Sequence, residues 1–494
     1  MTYTYFPNPA LLPDSYKLSH PDMFPAGMTH MQSNWTARTS RIPDITKVVF
    51  VGLQSFANRI LMDLWNDAFF SQDIEDIIAW HDHITTNLLG APTNTDRLRE
   101  LHALGYLPLV FSALPEGTEV PLRVPMFIVE NTHPNFGWLV NQFESLMSAE
   151  LWISMTTATQ ALRLRRMLDE FAAETSDTPE MVDWQGHDFS FRGMGSAEAA
   201  ASSGIGHLLA FAGTDSVPSL MLAERCYGAN GFVGGSVPAT EHSVMCAGGQ
   251  LSEIDTFERL LTQYPTGIVS VVSDTWDLWS VLTETLPLLK DKIMAREGKL
   301  VIRPDSGDPS DILCGNPSEP EGSPARKGVI ELLGEVFGYT INSKGYKVLD
   351  PHVGAIYGDS ITFDRAFDIC QRLRKAGWDT TTPVFGIGSF TYQYVTRDTF
   401  GFAMKATWAE VDGEGRDLFK DPVTDSGVKK SAKGRLAVLY GDDGELTLVN
   451  QATPEQEAMS ALQPVWRDGQ FTEDGFQTLA EIAARVGVRK LLPS

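Results

Sequence analysis

The sequence predicts an α/β protein: a central parallel sheet with helical crossovers, flanked by chain ends that mix helices with β-rich segments. Three observations carry this. In the middle of the chain, short apolar runs are each followed by a polar or glycine-rich loop, and most then lead into a helical pattern. Repeated strand–loop–helix units require parallel pairing, because a parallel neighbour is reached only by a crossover. The first ~150 residues and the stretch after ~395 lack this rhythm and are β-rich in patches.

Taken in order, "DLWNDAFFSQDIEDIIAWHDHI" (63–84) has the apolar spacing of amphipathic helix, and "YLPLVFSALPEGTEVPLRVPMFIVEN" (106–131) reads as strands. The central units follow. "HDFSF" leads to Arg192-Gly193, and "LLAFAG" precedes Thr214-Asp215. "GIVSVV" leads to Ser273-Asp274, and "KLVI" to Arg303-Pro304-Asp305-Ser306-Gly307. "HVGAIY" leads to Gly358-Asp359-Ser360, and "TPVF" to Gly386-Ile387-Gly388-Ser389. Beyond them, "GRLAVLYGDDGELTLVN" places two apolar runs around Asp442-Asp443-Gly444, a hairpin signal. "GFQTLAEIAARVG" has helical period.

Composition narrows the function. The 494 residues carry 63 acidic and 39 basic side chains, a net charge of −24. Such a field repels phosphate backbones and anionic lipid, which argues against nucleic-acid and membrane partners. No run reaches the ~18 apolar residues of a spanning helix, and the start lacks the pattern of a signal peptide. The four cysteines are widely spaced with no C-x-x-C pair, as expected of idle thiols in a reducing cytoplasm. "HDH" (81–83) lies on a polar helical stretch with no clear third ligand and is read as ordinary surface or satisfied core histidine. The basic run Lys429, Lys430, Lys433, Arg435 reads by itself as a solvated turn.

In parallel α/β folds, open or closed into a barrel, the loops at the carboxyl ends of strands carry the site. Here they supply Arg192, Asp215, Asp274, Arg303, Asp305 and Asp359. Arginines and glycine-rich turns suit phosphate, whereas aspartates suit Mg²⁺ on a diphosphate and ribose hydroxyls. The joint chemistry is that of a phosphorylated sugar. "GGSVPATEHS" (234–243) adds a histidine between a carboxylate and a hydroxyl, just past a loop of small residues.

These segments also carry a resemblance. "PDSYKLSH" (13–20), "VGLQ" (51–54), "HDFSFRG" (187–193), "FAGTDSV" (211–217), "GGSVPATEHS" (234–243) and "VSVVSDTWDLW" (269–279) are followed by "IRPDSGDP" (302–309), "NSKGYKVL" (342–349), "YGDSI" (357–361), "VTRD" (395–398), "LFKDPVTD" (418–425) and "KGRL" (433–436). In that order they resemble the nicotinamide phosphoribosyltransferase family of type II phosphoribosyltransferases.

The resemblance implies a central (β/α) barrel-like catalytic domain over 156–394, and an outer α+β domain built from 1–155 with 395–494. It implies a homodimer with shared active sites. The reaction would join nicotinamide to phosphoribosyl diphosphate, giving nicotinamide mononucleotide and diphosphate, with Mg²⁺ and with ATP coupled through a phosphorylated histidine. Matched residue by residue, that histidine is His242, acting with Asp274 and Asp305. Phe189 and Tyr16 of the partner subunit become the walls of the pyridine slot, and Asp215 and Arg303 its polar contacts. Arg192, His242, Arg303, Asp305, Gly358, Asp359, Gly388, Ser389 and Arg397 line the ribose, phosphate and diphosphate sites. Asp14, Arg38, Lys405 and Lys429 fall at further matched positions.

Physical chemistry bears on each role. An ionised Asp215 accepts from an amide NH₂ and repels a carboxylate, which favours nicotinamide over nicotinate. A neutral His242 is a nucleophile for a γ-phosphate, and Glu241 or an aspartate such as Asp274 would fix its tautomer. Two departures stand out: Gly388-Ser389-Phe390 where the family has consecutive glycines, and Ala403 where it has a serine. The competing readings are a nicotinate phosphoribosyltransferase and a non-catalytic nucleotide- or phosphosugar-binding dimer.

Overall fold

The computed structural model describes residues 8–420 and 432–493. They form two compact units: Met1–Thr159 with Leu222–Ala229 and Val395–Val486, and Gln160–Met221 with Asn230–Tyr394 and Gly487–Ser494.

The first unit is α+β and draws on both chain ends. Its seven-stranded antiparallel sheet runs Glu414–Asp417, Ala403–Val411, Met28–Thr36, Pro125–Asn131, Leu109–Ala113, Gln463–Arg467, Gln470–Phe471. The central pairing joins the two ends of the chain, from Met28 opposite Val411 to Thr36 opposite Ala403. Period-2 alternation places Leu109, Phe111 and Ala113 in the core while Val110 and Ser112 are half-buried. Trp35 anchors that core, stacked between Phe402 at 5.7 Å and Phe127 at 6.2 Å. The 63–84 stretch is helical throughout most of its length, ending in Ile74–Leu89. Asp73 caps that helix by accepting from the Glu75 N–H, and Gly90 closes it at φ 82°. The expected hairpin pairs Leu436–Tyr440 with Leu446–Asn450.

The second unit is the parallel sheet foreseen from sequence. Its order is Gly213–Thr214, Gly186–Asp188, Pro383–Ile387, Val353–Tyr357, Glu297–Arg303, Thr266–Val272. Val269, Val271, Leu300, Ile302, Ala355, Phe385 and Ile387 face outward, packed with helix residues such as Leu260, Leu289, Leu333 and Ile369. The alternate residues of the 297–303 strand, Lys299, Val301 and Arg303, are half-buried on the opposite face.

The two edge strands of this sheet are bridged by one more segment. Gly235 pairs with Gly213 and Ala239 with Ser270, both parallel. Thr214 N–H donates to Gly235 O at 3.0 Å, and Thr240 N–H to Ser270 O at 3.0 Å. Residues 235–240 thus close the ring as a final stave, and the sheet becomes a barrel. The small residues of "GGSVPAT" follow from this position. A side chain on Gly234 would strike Leu208 and the Ala212 carbonyl.

The last residues belong to the barrel unit, whereas the sequence reading kept 395–494 together. Arg489 donates to the Leu208 and Val233 carbonyls at 2.8 and 3.0 Å. The Lys490 and Leu491 amides donate to Asp183, whose carboxylate also pairs with the fully buried Arg165 at 2.6 Å. The "LLAFAG" run does not form a strand: helix Ala197–Leu208 ends in it, and the strand is only Gly213–Thr214. Among the described residues no helix is long and apolar enough to cross a membrane. Cys226 and Cys370 are buried, Cys314 is half-buried and Cys246 exposed, all as free thiols.

Candidate active site

Each stave of the barrel delivers its candidate residues at the same, carboxyl end. Phe189 leaves the 186–188 strand with its N–H on Ile387 O at 2.9 Å. Its ring lies so close over Gly386 that a Cβ there would overlap it. The Arg303 guanidinium stands 4.9 Å from the ring centroid. Phe189 is therefore held as a plate rather than packed away as a core residue.

Asp215 follows the 213–214 strand, and its N–H donates to Asp188 O at 3.0 Å. Its Oδ1 accepts from His187 Nε2 at 2.9 Å and from the Ser236 hydroxyl. Burial pushes its carboxyl upward, but the His187 hydrogen bond and charge, the Ser236 hydroxyl and Arg303 together outweigh this and hold it below the usual range. Asp215 is thus an ionised acceptor near neutral pH.

His242 opens the helix His242–Gly248, two residues beyond the closing stave. Its Nε2 lies 3.2 Å from Asp274 Oδ1. The imidazole is 47% exposed while Asp274 is 5% exposed, so the histidine faces solvent from a buried anchor. Asp274 is itself fixed: its Oδ2 accepts the Asp305 N–H at 2.8 Å and the Ser306 hydroxyl. A carboxylate can only accept, so the contact is an Nε2–H donating to Asp274, and a neutral ring held this way has Nδ1 as its free acceptor. Glu241 is engaged elsewhere, accepting from the Ser243 hydroxyl. Of the two carboxylates suggested by sequence, it is Asp274 that orients the ring.

Arg303 ends its strand against Gly358. A Cβ on Gly358 would lie 2.5 Å from Asp305 Oδ1 and 3.1 Å from Arg303 Nε. That Nε is buried without a hydrogen-bond partner among the described residues. Asp359 is exposed beside it. Burial raises the Tyr357 hydroxyl's pKa, and the charges of Asp359, Asp274, Asp305 and Asp308 raise it further. Arg192 is exposed in the turn Phe191–Gly193, where a Cβ on Gly193 would overlap the Ser389 hydroxyl. The loops after the 186–188 and 383–387 strands thus meet. Gly388 caps the short helix Ser389–Tyr392. The Phe390 ring turns to Tyr394, at 5.0 Å, and to Arg365, at 5.5 Å.

A model of the nicotinate phosphoribosyltransferase family matches residues 184–470. A model of the nicotinamide phosphoribosyltransferase N-terminal domain matches 8–81. A nicotinamide phosphoribosyltransferase of Acinetobacter baylyi is 48% identical over 97% of both chains. The chain belongs to the nicotinamide phosphoribosyltransferase family. An enzyme of that name from Xanthomonas campestris pv. campestris is 34% identical over 99% of this chain and 100% of that one. The Mycoplasma pneumoniae one is 36% identical over 85% and 94%. In fold, the chain is similar to nicotinate-nucleotide pyrophosphorylase from Pyrococcus furiosus, with a TM-score of 0.58, 16% identity and coverage of 98% and 97%. It is also similar to human nicotinic acid phosphoribosyltransferase, with a TM-score of 0.55, 16% identity and coverage of 97% and 93%.

Five other positions matched to the nicotinamide phosphoribosyltransferase family lie in the α+β unit. Asp14 accepts from the Ser145 hydroxyl, and Tyr16 is 56% exposed with His20 at its edge. Arg38 donates to Gly401 O at 2.9 Å, and Arg397 pairs with its neighbour Asp398. Lys405 is exposed on the strand that begins at Ala403. Lys429 lies outside the described residues. Arg435 is bound by Glu130 and Glu457, so its charge serves that unit's own packing. His81 is buried within its helix, and no group of side chains that could hold a metal occurs among the described residues.

Sequence reasoning missed His187, Ser236 and Ser306. A signal existed for His187: on a strand it shares a face with Phe189 two residues on. Ser236 and Ser306 sit in loops where serine is ordinary turn chemistry, and only the contact to a partner far along the chain marks them.

Proposed function

We propose that the protein transfers the phosphoribosyl group of phosphoribosyl diphosphate to nicotinamide, giving nicotinamide mononucleotide and diphosphate in NAD salvage. The observation that carries this reading is His242 held by Asp274, itself fixed by the Asp305 N–H, at the mouth of a barrel that also presents Phe189, Asp215 and Arg303. A protein that only held a phosphosugar would have no use for an exposed, tautomer-fixed imidazole.

In this reading the pyridine ring lies on Phe189, gaining roughly 0.5–1.5 kcal/mol of stacking beyond burial. Asp215 Oδ2 accepts from the carboxamide NH₂. The C1–O bond to diphosphate breaks with its electron pair on the leaving group, and the ring nitrogen's lone pair forms the new C1–N bond. Positive charge develops at the sugar carbon, stabilised by the carboxylates of Asp305 and Asp359; negative charge on the diphosphate is met by Arg192 and Arg303. The nucleophile is neutral and needs no general base, so orientation dominates.

Mg²⁺ would arrive on the diphosphate, facing Asp274, Asp305 and Asp359. An ion of this kind keeps several of its ligands from water and substrate phosphate. When bound, it supplies charge neutralisation of the leaving group. ATP would be a coupled substrate: His242 Nδ1 bonds to the γ-phosphorus as the bond to the ADP oxygen breaks. A second copy of the chain would complete the slot with Tyr16 and add Asp14, Arg38, Arg397, Lys405 and Lys429.

Product identification tests the reading. Purified protein given phosphoribosyl diphosphate should convert nicotinamide to nicotinamide mononucleotide, accelerated by ATP, and should not form the acid mononucleotide from nicotinate. Equal turnover of nicotinate would defeat it. Gly358→Ala should lower kcat/KM by about 10²-fold by displacing Asp305 and Arg303 by around 1 Å. The variant's melting temperature should stay near that of the parent, because Gly358 lies at a half-buried loop.

A further inference from the structure

We propose that His187 is a positioning residue that sets the preference for an amide over an acid, by fixing Asp215 through Oδ1 and leaving Oδ2 to the substrate. The proposal rests on the nicotinamide-transfer reading.

His187 is 8% exposed and sits on the 186–188 strand, in register with Gly213 on the neighbouring strand. Its Nε2 lies 2.9 Å from Asp215 Oδ1. An ionised carboxylate can only accept, so Nε2 is the donor. The ring has no freedom to withdraw. A Cβ on Gly213 would stand 2.7 Å from Nδ1, so that flank is closed by backbone. On another side the ring meets Phe189, centroids 4.9 Å apart and tilted by 58°. One imidazole therefore touches both the plate for the pyridine ring and the group that would read its substituent.

The bonding at Asp215 is one-sided. His187 and Ser236 both donate to Oδ1, and no hydrogen bond among the described residues engages Oδ2. A carboxylate turns readily about its terminal torsion, which is broad and two-fold. With 43% of the side chain exposed, Asp215 would otherwise sample several orientations and share its charge with water. Two donors on one oxygen stop that rotation and aim the other oxygen. The same arrangement keeps a full negative charge where a substrate carboxylate would have to sit, while an amide NH₂ meets a fixed acceptor.

Glutamine can carry an N–H to nearly the position of Nε2, whereas alanine removes the donor and asparagine is too short to reach. The experiment measures kcat/KM for nicotinamide and nicotinate in the wild type, His187→Gln and His187→Ala, with His187→Asn replacing alanine should the latter not fold. The amide-to-acid ratio is expected to fall at least tenfold in the alanine or asparagine variant, mainly through KM for nicotinamide. It should stay within about threefold of wild type in His187→Gln, with KM for phosphoribosyl diphosphate unchanged throughout; hydrogen bonds to charged groups are worth effects of this order. An unchanged ratio in the donorless variants overturns the proposal, as does an equal fall in His187→Gln. A wild type that makes no nicotinamide mononucleotide defeats the transfer reading instead, and is told apart by the wild-type arm alone.

Discussion

His242→Ala is expected to remove all stimulation by ATP while leaving transfer from phosphoribosyl diphosphate at its ATP-independent rate. The reason is geometric. The imidazole is exposed and its Nδ1 lone pair is directed by the Asp274 contact at Nε2. Alanine deletes the phosphate acceptor while Phe189, Asp215, Arg192 and Arg303 stay in place. Asp274→Asn is the sharper variant. Its amide would offer an N–H to the ring in place of an acceptor, which favours the opposite tautomer. It would also leave the Asp305 N–H and Ser306 hydroxyl with a weaker partner. Loss of a correctly oriented imidazole costs on the order of 10²–10⁴-fold in comparable systems. Incorporation of labelled γ-phosphate into protein, in an acid-labile and base-stable form, should fall by that factor in Asp274→Asn and vanish in His242→Ala. Undiminished labelling of the alanine variant would move the phosphorylated residue elsewhere.

Asp215→Asn is expected to open the site to nicotinate. In the parent protein two negative charges would face each other across a hydrogen-bond distance, and such juxtaposition costs several kcal/mol. Asparagine removes the repulsion, and its NH₂ can donate to the substrate carboxylate. His187 and Ser236 hold the asparagine carbonyl at the position of Oδ1, so a carboxamide meets that NH₂ through its own carbonyl, and nicotinamide should lose only about tenfold in kcat/KM. The amide-to-acid ratio should therefore collapse by at least about 10²-fold. Competition between the two pyridines in one reaction, resolved by product mass, measures this directly. Retention of the parent ratio would show that selectivity is set elsewhere than at Asp215.

Much of this architecture is legible in the amino-acid sequence. Runs such as "GIVSVV", "KLVI" and "HVGAIY" are short and rich in β-branched residues, and they became parallel strands: Val353–Tyr357 is buried throughout, Thr266–Val272 over its last four residues, and Glu297–Arg303 at Leu300 and Ile302. The loops that follow them carried the charged residues that now cluster at one end. The closing stave was not legible. Residues 235–240 contain no apolar alternation, and their place is fixed by backbone pairing with Gly213 and Ser270, which side chains do not encode. The strands 186–188 and 213–214 are too short for periodicity to speak. That is why "LLAFAG" was read as one run although a helix end and a two-residue strand divide it. Nor does the helical pattern near the C-terminus announce that Arg489 and its neighbours bind back to Asp183, Leu208 and Val233. That anchoring uses two main-chain carbonyls and one carboxylate far away in the chain.

The barrel's last pairing and the histidine's docking are separated by a single residue, since Thr240 donates to Ser270 and His242 reaches Asp274, each on consecutive portions of the same loop-and-strand pair. Shutting the cylinder and presenting the imidazole therefore draw on the same short stretch of backbone. If His242 is the phosphate acceptor, a nascent or partly unravelled chain cannot spend nucleotide wastefully, because its acceptor is not yet assembled. Competence to be phosphorylated would then report completed folding of the whole cylinder.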